Sequence, residues 1–247
     1  MAKKTTPKKK PTKKSKPVEK RTTGQKIFRF VWKAVLWFNI ISIFLVLLFK
    51  FVHVPFTPLM AIRAIEQKMD GKEVIFSHKW VAIEHISPNL QKAVIASEDG
   101  KFLEHNGFDF SAMEKAFEGN QKGKKIKGGS TISQQTAKNV FLWPGRSYIR
   151  KAFEAYYTVL IELIWGKERI MEVYLNSIEM GDGVYGAQAA AKHWYRKEAK
   201  NLSIYEAAGI AAILPSPRKY KASNSGPYVQ RRKGIISKYA GYVKLEY

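Results

Sequence analysis

The chain has 247 residues, a formal net charge of +23 and no cysteine. Its length suits one domain of ordinary size with some additional sequence. The absence of cysteine excludes a disulfide scaffold, a cysteine-based zinc site and a thiol nucleophile. The positive charge indicates an anionic partner: nucleic acid, an anionic membrane surface or a phosphorylated substrate.

The charge is concentrated at the N-terminus. Residues 1–26 contain eleven Lys and Arg and one Glu, a net charge of +10, so the remaining 221 residues carry +13. Because this segment has almost no large apolar residues, it cannot bury enough surface to offset the entropy of ordering. We therefore predict a disordered basic tail over residues 1–26.

Residues 27–52 are the predicted transmembrane signal-anchor. The stretch 34–49, AVLWFNIISIFLVLLF, carries no charge, and residues 28–52 are long enough to cross a hydrocarbon core about 30 Å thick. The run is too long for the apolar part of an ordinary signal peptide, and no small-residue cleavage site follows it.

The charge on either side of the anchor predicts its orientation. The positive-inside rule places the N-terminus in the cytoplasm and residues 53–247 on the outer, periplasmic face of the cytoplasmic (inner) membrane. The tail then orients a single-pass protein and adheres to anionic lipids. No nucleic acid is expected as a partner.

Residues 53–247 are predicted to form one mainly α domain. A first amphipathic helix is expected over residues 58–72, where apolar residues recur at helical spacing: Leu59, Ile62, Ile65 and Met69. Alternating apolar and polar residues over 72–85 predict a short strand pair. The chain contains no internal repeat and no glycine-rich nucleotide-binding motif.

Two helices carry clear start signals. Ser87 followed by Pro88 supplies a hydroxyl N-cap with proline at the first helical position. Ser203 with Glu206 three residues later forms a capping box, and the helix that follows is expected to end before Pro215.

A carboxylate ends the apolar face of the first of these helices. Helical spacing from Leu90 through Val94 reaches Glu98, and Gly100 is the expected stop. Burial and the negative end of the helix dipole would both raise the pKa of Glu98 and suit it to act as a general base. Spacing alone, however, favours an exposed glutamate at a helix end. His105 has no second histidine at ligand spacing, so no metal site is expected there.

The segment 128–141, GGSTISQQTAKNVF, predicts a helix start whose free N–H groups can bind an anion. Thr131 and Gln134 fit a capping box. One helix face is polar and ends in a cation: Thr131, Gln134, Gln135 and Lys138. This pattern fits a solvated face and a functional face equally well.

A third cluster spans residues 144–176. A turn at Pro144 precedes Arg146, and the helical pattern from Tyr148 onward is continuous or broken near Gly166. Its expected buried stripe is apolar: Ile149, Phe153, Tyr156, Leu160 and Ile164. Glu154 lies four residues after Arg150, which fits either a surface ion pair or a second active-site carboxylate among cations.

Four segments in this order resemble the successive motifs of glycosyltransferase family 51, the peptidoglycan glycosyltransferases. They are EDGKFLEHNGFD (98–109), GGSTISQQTAKN (128–139), RKAFEA (150–155) and KERIMEVYLN (167–176). The resemblance covers roughly residues 75–239. The chain departs from the family where an aromatic-Phe-Gly pattern is usual and residues 193–196 read HWYR. That position belongs to the structural helices and leaves the active site unaffected.

The resemblance implies a mainly α, lysozyme-like, two-lobed glycosyltransferase domain over residues 53–247. A small lobe would lie near the membrane, beside one N-terminal transmembrane helix. It also implies catalytic roles for Glu98 and Glu154. Glu98 would be the general base, Lys138 and Arg146 would neutralise a pyrophosphate, and Glu154 would organise these cations or a divalent ion such as Mg or Mn. The remaining motif residues would shape the substrate cleft: Asp99, Phe102, Ser130, Thr131, Gln134, Gln135, Asn139 and Lys151.

The implied reaction is polymerisation of lipid II into β-1,4 glycan strands, with inversion at the anomeric carbon and release of undecaprenyl pyrophosphate. The implied partners are lipid II, the growing glycan chain, anionic lipids and other cell-wall synthesis proteins. A diphosphate leaving group needs cations more than a general acid. The carboxylates of Glu98 and Glu154 are therefore expected about 10 Å or more apart, beyond the ~5–5.5 Å of retaining glycosidases.

Three alternatives compete with this interpretation. A lytic, glycan-cleaving enzyme of lysozyme-like fold would also place a glutamate at a helix end, but it would have little use for Lys138 and Arg146. A non-enzymatic membrane protein would bind nucleic acid through residues 1–26. A penicillin-binding enzyme with a second activity is suggested by Ser216 and Lys219 in an SxxK spacing, yet no partner motif accompanies them.

Overall fold

The computed structural model describes residues 22–121, 129–145 and 147–247. In these residues the chain is mainly α, as predicted, with the following helices: α1 (Thr23–Phe51), α2 (Pro58–Met69), α3 (Pro88–Glu98), α4 (Phe110–Gln121), α5 (Ile132–Phe141), α6 (Tyr148–Ile164), α7 (Lys167–Ser177), α8 (Gly186–Tyr195), α9 (Ile204–Ile213) and α10 (Pro227–Ala240). Short 3₁₀ turns cover Ile83–His85 and Ala199–Asn201. The strands are β1 (Ser77–His78), β2 (Glu179–Gly181) and β3 (Val184–Tyr185).

The chain divides into two compact units, residues up to Ile41 and residues 42–247. Helix α1 has 29 residues and a mean hydropathy of 2.3 over its most apolar 18-residue window. Its length and composition fit a single-pass membrane anchor. The helix begins at Thr23, so residues 23–26, which composition assigned to the tail, are helical. The predicted disorder of residues 1–21 lies outside the described residues.

The end of α1 from Ser42 onward contacts α6 and α7 within the larger unit. Tyr157 and Ser42 share a 2.9 Å hydrogen bond, and the Trp165 indole donates to the Val46 carbonyl at 2.7 Å. The Arg169 guanidinium donates to the Phe49 carbonyl at 2.7 Å. Carbonyls in the last turn of a helix lack partners within that helix, so Arg169 satisfies a group that would otherwise be unpaired.

Two expectations about residues 58–85 are wrong. Helix α2 begins at Pro58 as predicted and ends at Met69, but it buries Met60 and Gln67, while Ile65 and Met69 of the expected apolar stripe are exposed. The predicted strand pair is also absent from this segment. Strand β1 instead pairs in parallel with β3, in the sheet order β1-β3-β2. Alternation indicates extended backbone but does not say which distant segment it pairs with.

Two helix clusters form the core of the larger unit. Helix α3 packs against α9 and α10, and α5 packs against α6 and α7. The start signals at Ser87 and Ser203 are confirmed, because each hydroxyl caps its helix. The helical pattern after Tyr148 is broken at Gly166, whose φ of 79° lies in the left-handed region that glycine adopts readily.

The expected buried stripe of α6 is wrong. Ile149 is 70 % exposed, whereas Arg150 and Glu154 lie on the buried face with Tyr157 and Ile161. The side chains of Arg150 and Glu154 pair with one another, so their charges are compensated where they are buried. Helix α6 therefore turns a charged pair, and not its most apolar stripe, toward α5.

Candidate active site

Glu98 is the last residue of α3, and its carboxylate is half-buried. Gln135 Nε2 donates to Glu98 Oε2 at 3.2 Å, and Ser97 Oγ donates to Oε1 at 3.4 Å. Burial raises the pKa of Glu98, while the hydrogen bond from Gln135 and the charge of Arg232 act in the opposite direction. The exposed glutamate that spacing alone favoured is therefore not what the structure contains.

Asp99 follows Glu98 and joins the two helix clusters. Its buried carboxylate accepts a hydrogen bond from the Ile132 amide at 2.9 Å and another from His105 Nε2 at 2.9 Å. His105 Nδ1 accepts from the Gly107 amide, so the ring proton of a neutral imidazole lies on Nε2. Gly107 has a φ of 90°, and a Cβ there would lie 2.7 Å from Thr158 Cγ2. Glycine is thus required at this close approach.

Helix α5 begins with the predicted capping box. Thr131 Oγ1 accepts from the Gln134 amide at 3.2 Å, and Gln134 Oε1 accepts from the Thr131 amide at 3.0 Å. Thr131 Oγ1 also donates to the Gly107 carbonyl at 2.7 Å. Both side chains are buried, so this end of the predicted polar face is not a solvated face. It fixes the start of α5 against the loop after α3.

The other end of the α5 face carries Gln135 and Lys138. Tyr174 donates to Gln135 Oε1 at 3.1 Å, which directs the Gln135 amide nitrogen toward Glu98. Burial lowers the pKa of Lys138, and the nearby Glu154 carboxylate opposes that effect. Since residues three apart share a helix face, Lys138 lies on the same face as Gln135.

Glu154 lies among cations on α6 and is only 3 % exposed. Its Oε2 accepts from Arg150 Nη1 at 2.8 Å, and its Oε1 accepts from Lys151. The surface ion pair that spacing allowed is therefore wrong, because the carboxylate is buried. Glu98 and Glu154 take their hydrogen bonds from different side chains, on different helices, and the charge of Lys138 interacts with both.

A cavity of about 310 Å³ lies beside these groups. Among the described residues, three cations line it, Arg63, Lys138 and Arg150, and its apolar wall includes Leu59 and Trp143. Sequence reasoning missed Arg63 altogether and treated Arg150 only as an ion-pair partner. Arg146, the other predicted diphosphate-binding cation, lies outside the described residues. The cavity offers a concentrated positive charge next to an apolar surface.

Other predicted site residues lie at varied depths. Phe102 is fully buried, with Lys167 Nζ 4.7 Å from the centre of its ring. Asn139 is buried but lines the cation cavity. Ser130 is exposed, and its carbonyl accepts from Gln135 Nε2 at 3.5 Å. Phe102, like Thr131 and Gln134, is thus buried inside the domain and does not line the cation cavity.

A second and larger cavity, of about 630 Å³, is separate from this cluster. It lies between the end of α3 and the C-terminal segment, where Gly100, Tyr239 and Tyr242 line it. None of Glu98, Lys138 and Glu154 contributes to its walls. Of these three residues, Lys138 lines the smaller cavity, whereas Glu98 and Glu154 line neither cavity.

Comparison with known proteins finds one matching family and many similar chains. Residues 67–240 match the family model described as Transglycosylase. A biosynthetic peptidoglycan transglycosylase of Caulobacter vibrioides is 55% identical over 201 residues, covering 81% of this chain and 85% of that protein. Proteins of the same name from Bdellovibrio bacteriovorus (51% identity; 89% of this chain and 88% of that protein) and Pseudomonas syringae pv. syringae (50%; 86% and 90%) are similar over comparable spans.

Proposed function

The chain belongs to the transglycosylase family, and we propose that Glu98 is the general base of its reaction. It is a peptidoglycan glycosyltransferase, which lengthens glycan strands from lipid II. Its domain is the mainly α, lysozyme-like domain of that family, with one N-terminal apolar helix. The observation that carries the proposed role is the half-buried Glu98 carboxylate, held by Gln135 one helical turn from Lys138.

In the proposed step, Glu98 removes the proton from the 4-hydroxyl of the lipid II acceptor sugar. The freed oxygen forms a bond to the anomeric carbon of the growing chain. The bond from that carbon to the diphosphate breaks at the same centre, and its electron pair leaves with undecaprenyl pyrophosphate. Attack from the opposite face converts an α-linked donor into a β-1,4 link. The raised pKa of Glu98 makes it a stronger base than an ordinary carboxylate.

The leaving diphosphate gains negative charge in this step, and Lys138 is positioned to stabilise it. Lys138 and Arg150 line one cavity, where low exposure to water strengthens their interaction with an anion. Arginine offers a planar fork to phosphate and lysine a point charge. Arg146 is proposed for the same role on the family resemblance alone. A leaving group stabilised in this way does not require a general acid.

Glu154 is proposed to organise the cations around the diphosphate. Both of its oxygens already accept from Arg150 and Lys151. In the described residues no group of three or more acidic or histidine side chains is placed to hold a metal ion. A divalent ion at Glu154 would have to displace these cations, so the residues do not fit one. We assign no step to Mg or Mn.

The lytic alternative is not favoured. A lysozyme-type enzyme protonates a leaving sugar and needs a general acid close to a second carboxylate. Here Glu98 is bound by an amide, and the second carboxylate is surrounded by cations. Cations in the cleft suit a diphosphate leaving group better than a neutral sugar.

We propose that α1 anchors the protein once in the cytoplasmic (inner) membrane. The +10 charge of residues 1–26 supports a cytoplasmic N-terminus and a periplasmic catalytic domain. Anionic lipids near that segment would stabilise this orientation. Other cell-wall synthesis proteins are proposed as partners because a new glycan strand has to be cross-linked after it is made.

The test is polymerisation of lipid II by the full-length protein in detergent, compared with its action on finished glycan. The wild-type protein should polymerise lipid II into glycan strands and leave finished glycan intact. Glu98→Gln should abolish polymerisation while the circular dichroism spectrum is unchanged. Glu114→Gln, an exposed change on α4, is the matched control and should retain full activity. Near-normal polymerisation by Glu98→Gln would refute the base role.

A further inference from the structure

The C-terminal helix α10 directs the guanidinium of Arg232 to the end of α3 that carries Glu98. Arg232 Nη2 donates to Ser97 Oγ at 3.1 Å. Ser97 Oγ lies 3.4 Å from Glu98 Oε1 and 3.4 Å from the Ala211 carbonyl. Because Arg232 occupies a lone pair of the Ser97 oxygen, the single hydroxyl proton remains to be donated to one of these acceptors. When that proton is donated to Glu98 Oε1, the hydrogen bonds connect Arg232 on α10 through Ser97 to Glu98.

In the described residues, Arg232 lacks the direct carboxylate partner that normally compensates a partly buried arginine. Its Nε is buried and makes no hydrogen bond. Within the described parts of the chain, no carboxylate lies in ion-pair contact with it. A partly buried charge without a direct counterion is costly unless another charge nearby compensates it. The Glu98 carboxylate is the acidic group whose ionisation Arg232 favours.

We propose that Arg232 is a positioning residue that orients the Glu98 carboxylate through Ser97 and keeps it ionised as the base. This inference rests on the proposed role of Glu98. It adds α10 to the helices that form the active site, since α10 supplies a positive charge toward Glu98 in addition to that of Lys138 on α5. Arg232 itself contacts Ser97, and no direct contact with substrate is required of it.

The other groups that face Glu98 do not replace Arg232 in keeping the carboxylate ionised. Lys138 on α5 also favours the charged carboxylate, but its charge is shared with Glu154. Tyr174 on α7 is neutral, because burial raises the pKa of its hydroxyl well above the ordinary value. Asp99 is engaged by His105 and the Ile132 amide. Helix α9 contributes only the Ala211 carbonyl.

The test is the pH profile of kcat/KM for lipid II polymerisation by the full-length protein. Arg232→Met keeps an apolar stem of similar length and removes the charge. Without that charge the pKa of Glu98 should rise, so the acid limb of the profile should move up by about one pH unit. Activity below the limb should fall about tenfold, and activity on the alkaline side of the limb should recover. Arg232→Lys, which restores the charge, should return the limb toward its original position.

Arg231→Met is the matched control, because Arg231 is the exposed neighbour on the same helix. It should leave the profile unchanged. If Arg232→Met does not fold, Ser97→Ala interrupts the same relay and should move the acid limb in the same direction. An acid limb at the wild-type pH in folded Arg232→Met or Ser97→Ala would overturn the inference, even if activity fell equally at every pH. Full activity of Glu98→Gln would instead refute the base role on which the inference rests.

Discussion

The carboxylate of Asp99 accepts a 2.9 Å hydrogen bond from the backbone amide of Ile132, which fastens the end of α3 to the start of α5. Helix α3 carries Glu98 and helix α5 carries Lys138, so this contact fixes the proposed base relative to the proposed diphosphate-binding cation. Both partners are buried. A carboxylate at a helix N-terminus also interacts favourably with the helix dipole.

We expect Asp99→Ala to lower both stability and activity. The change leaves the Ile132 amide and His105 Nε2 without their shared acceptor, and each buried unpaired donor costs roughly 1–3 kcal/mol. The free energy of unfolding in urea should fall by about 2–6 kcal/mol. Glu114→Ala on the exposed face of α4 serves as the control and should change it little. Wild-type stability in Asp99→Ala would show that the junction does not depend on this carboxylate.

The raised pKa of Glu98 predicts a pH dependence of both rate and stability. Polymerisation should decline as the pH falls through this pKa, above the ordinary glutamate value of 4.5, because the base becomes protonated. The folded state holds this proton more tightly than the unfolded state. The contribution of Glu98 to stability is therefore fully present below pH 4.5 and is lost as the pH rises through its folded pKa.

Glu98→Gln should remove that loss of stability. At neutral pH the variant should be at least as stable as the wild type, although it does not polymerise lipid II. Thermal unfolding of both proteins at pH 4 and pH 7.5 checks the sign: the difference in melting temperature should favour the variant more at the higher pH. A larger advantage at pH 4 would contradict the assigned shift.

The lowered pKa of Lys138 predicts how the rate of polymerisation falls at alkaline pH. Burial lowers the pKa of its ammonium group below the ordinary 10.5, so the cation should be lost earlier than for an exposed lysine. Lys138→Arg keeps a charge that does not titrate in this range, and the alkaline limb should then move to higher pH. Lys138→Met should reduce kcat/KM at every pH. An alkaline limb in Lys138→Arg that coincides with the wild-type limb would assign it to another group.

Glu154→Gln should behave differently from Glu98→Gln, because Glu154 is paired. Removing its charge leaves Arg150 buried without a counterion, and breaking a buried pair typically costs about 3–5 kcal/mol. We expect both a lower free energy of unfolding and a loss of polymerisation.

In the wild-type protein, chelation of divalent ions with EDTA should leave the rate unchanged, since both Glu154 oxygens already bind cations. A rate abolished by EDTA and restored by Mg would contradict the assignment.

The sequence predicted those parts of the site that depend on local signals. Glu98 could be placed at a helix end because Ser87, Pro88 and the apolar spacing mark that helix from start to finish. The Thr131 capping box likewise needs only residues within one turn. For this reason the predicted positions of the two helices that carry Glu98 and Lys138 agree with the structure.

The parts that depend on distant partners could not be predicted from such signals. Arg232 and Ser97 are 135 residues apart, and no periodic pattern relates them. The buried face of α6 was assigned to the wrong stripe because hydrophobic spacing does not anticipate that Arg150 and Glu154 compensate each other's charge. Strand β1 pairs with β3, more than a hundred residues later in the chain. In each case tertiary packing overrides the local pattern.

Arg196 lies in the stretch 193–196, where the sequence departs from the family pattern, and offers a stability prediction. It follows α8 in the left-handed conformation, with φ 57° and ψ 30°, and its amide donates to the Lys192 carbonyl at 3.1 Å. A side chain with a Cβ is disfavoured in this conformation by about 1 kcal/mol, whereas glycine adopts it freely. Glycine also has more conformational freedom to lose on folding, so the net gain in stability from Arg196→Gly should be below that figure.

We expect Arg196→Gly to raise the melting temperature by about 1–4 °C without a change in polymerisation. Arg196→Ala, which removes the charge but keeps the Cβ, should give no such increase, and an equal increase in both variants would assign the effect to charge rather than to backbone conformation.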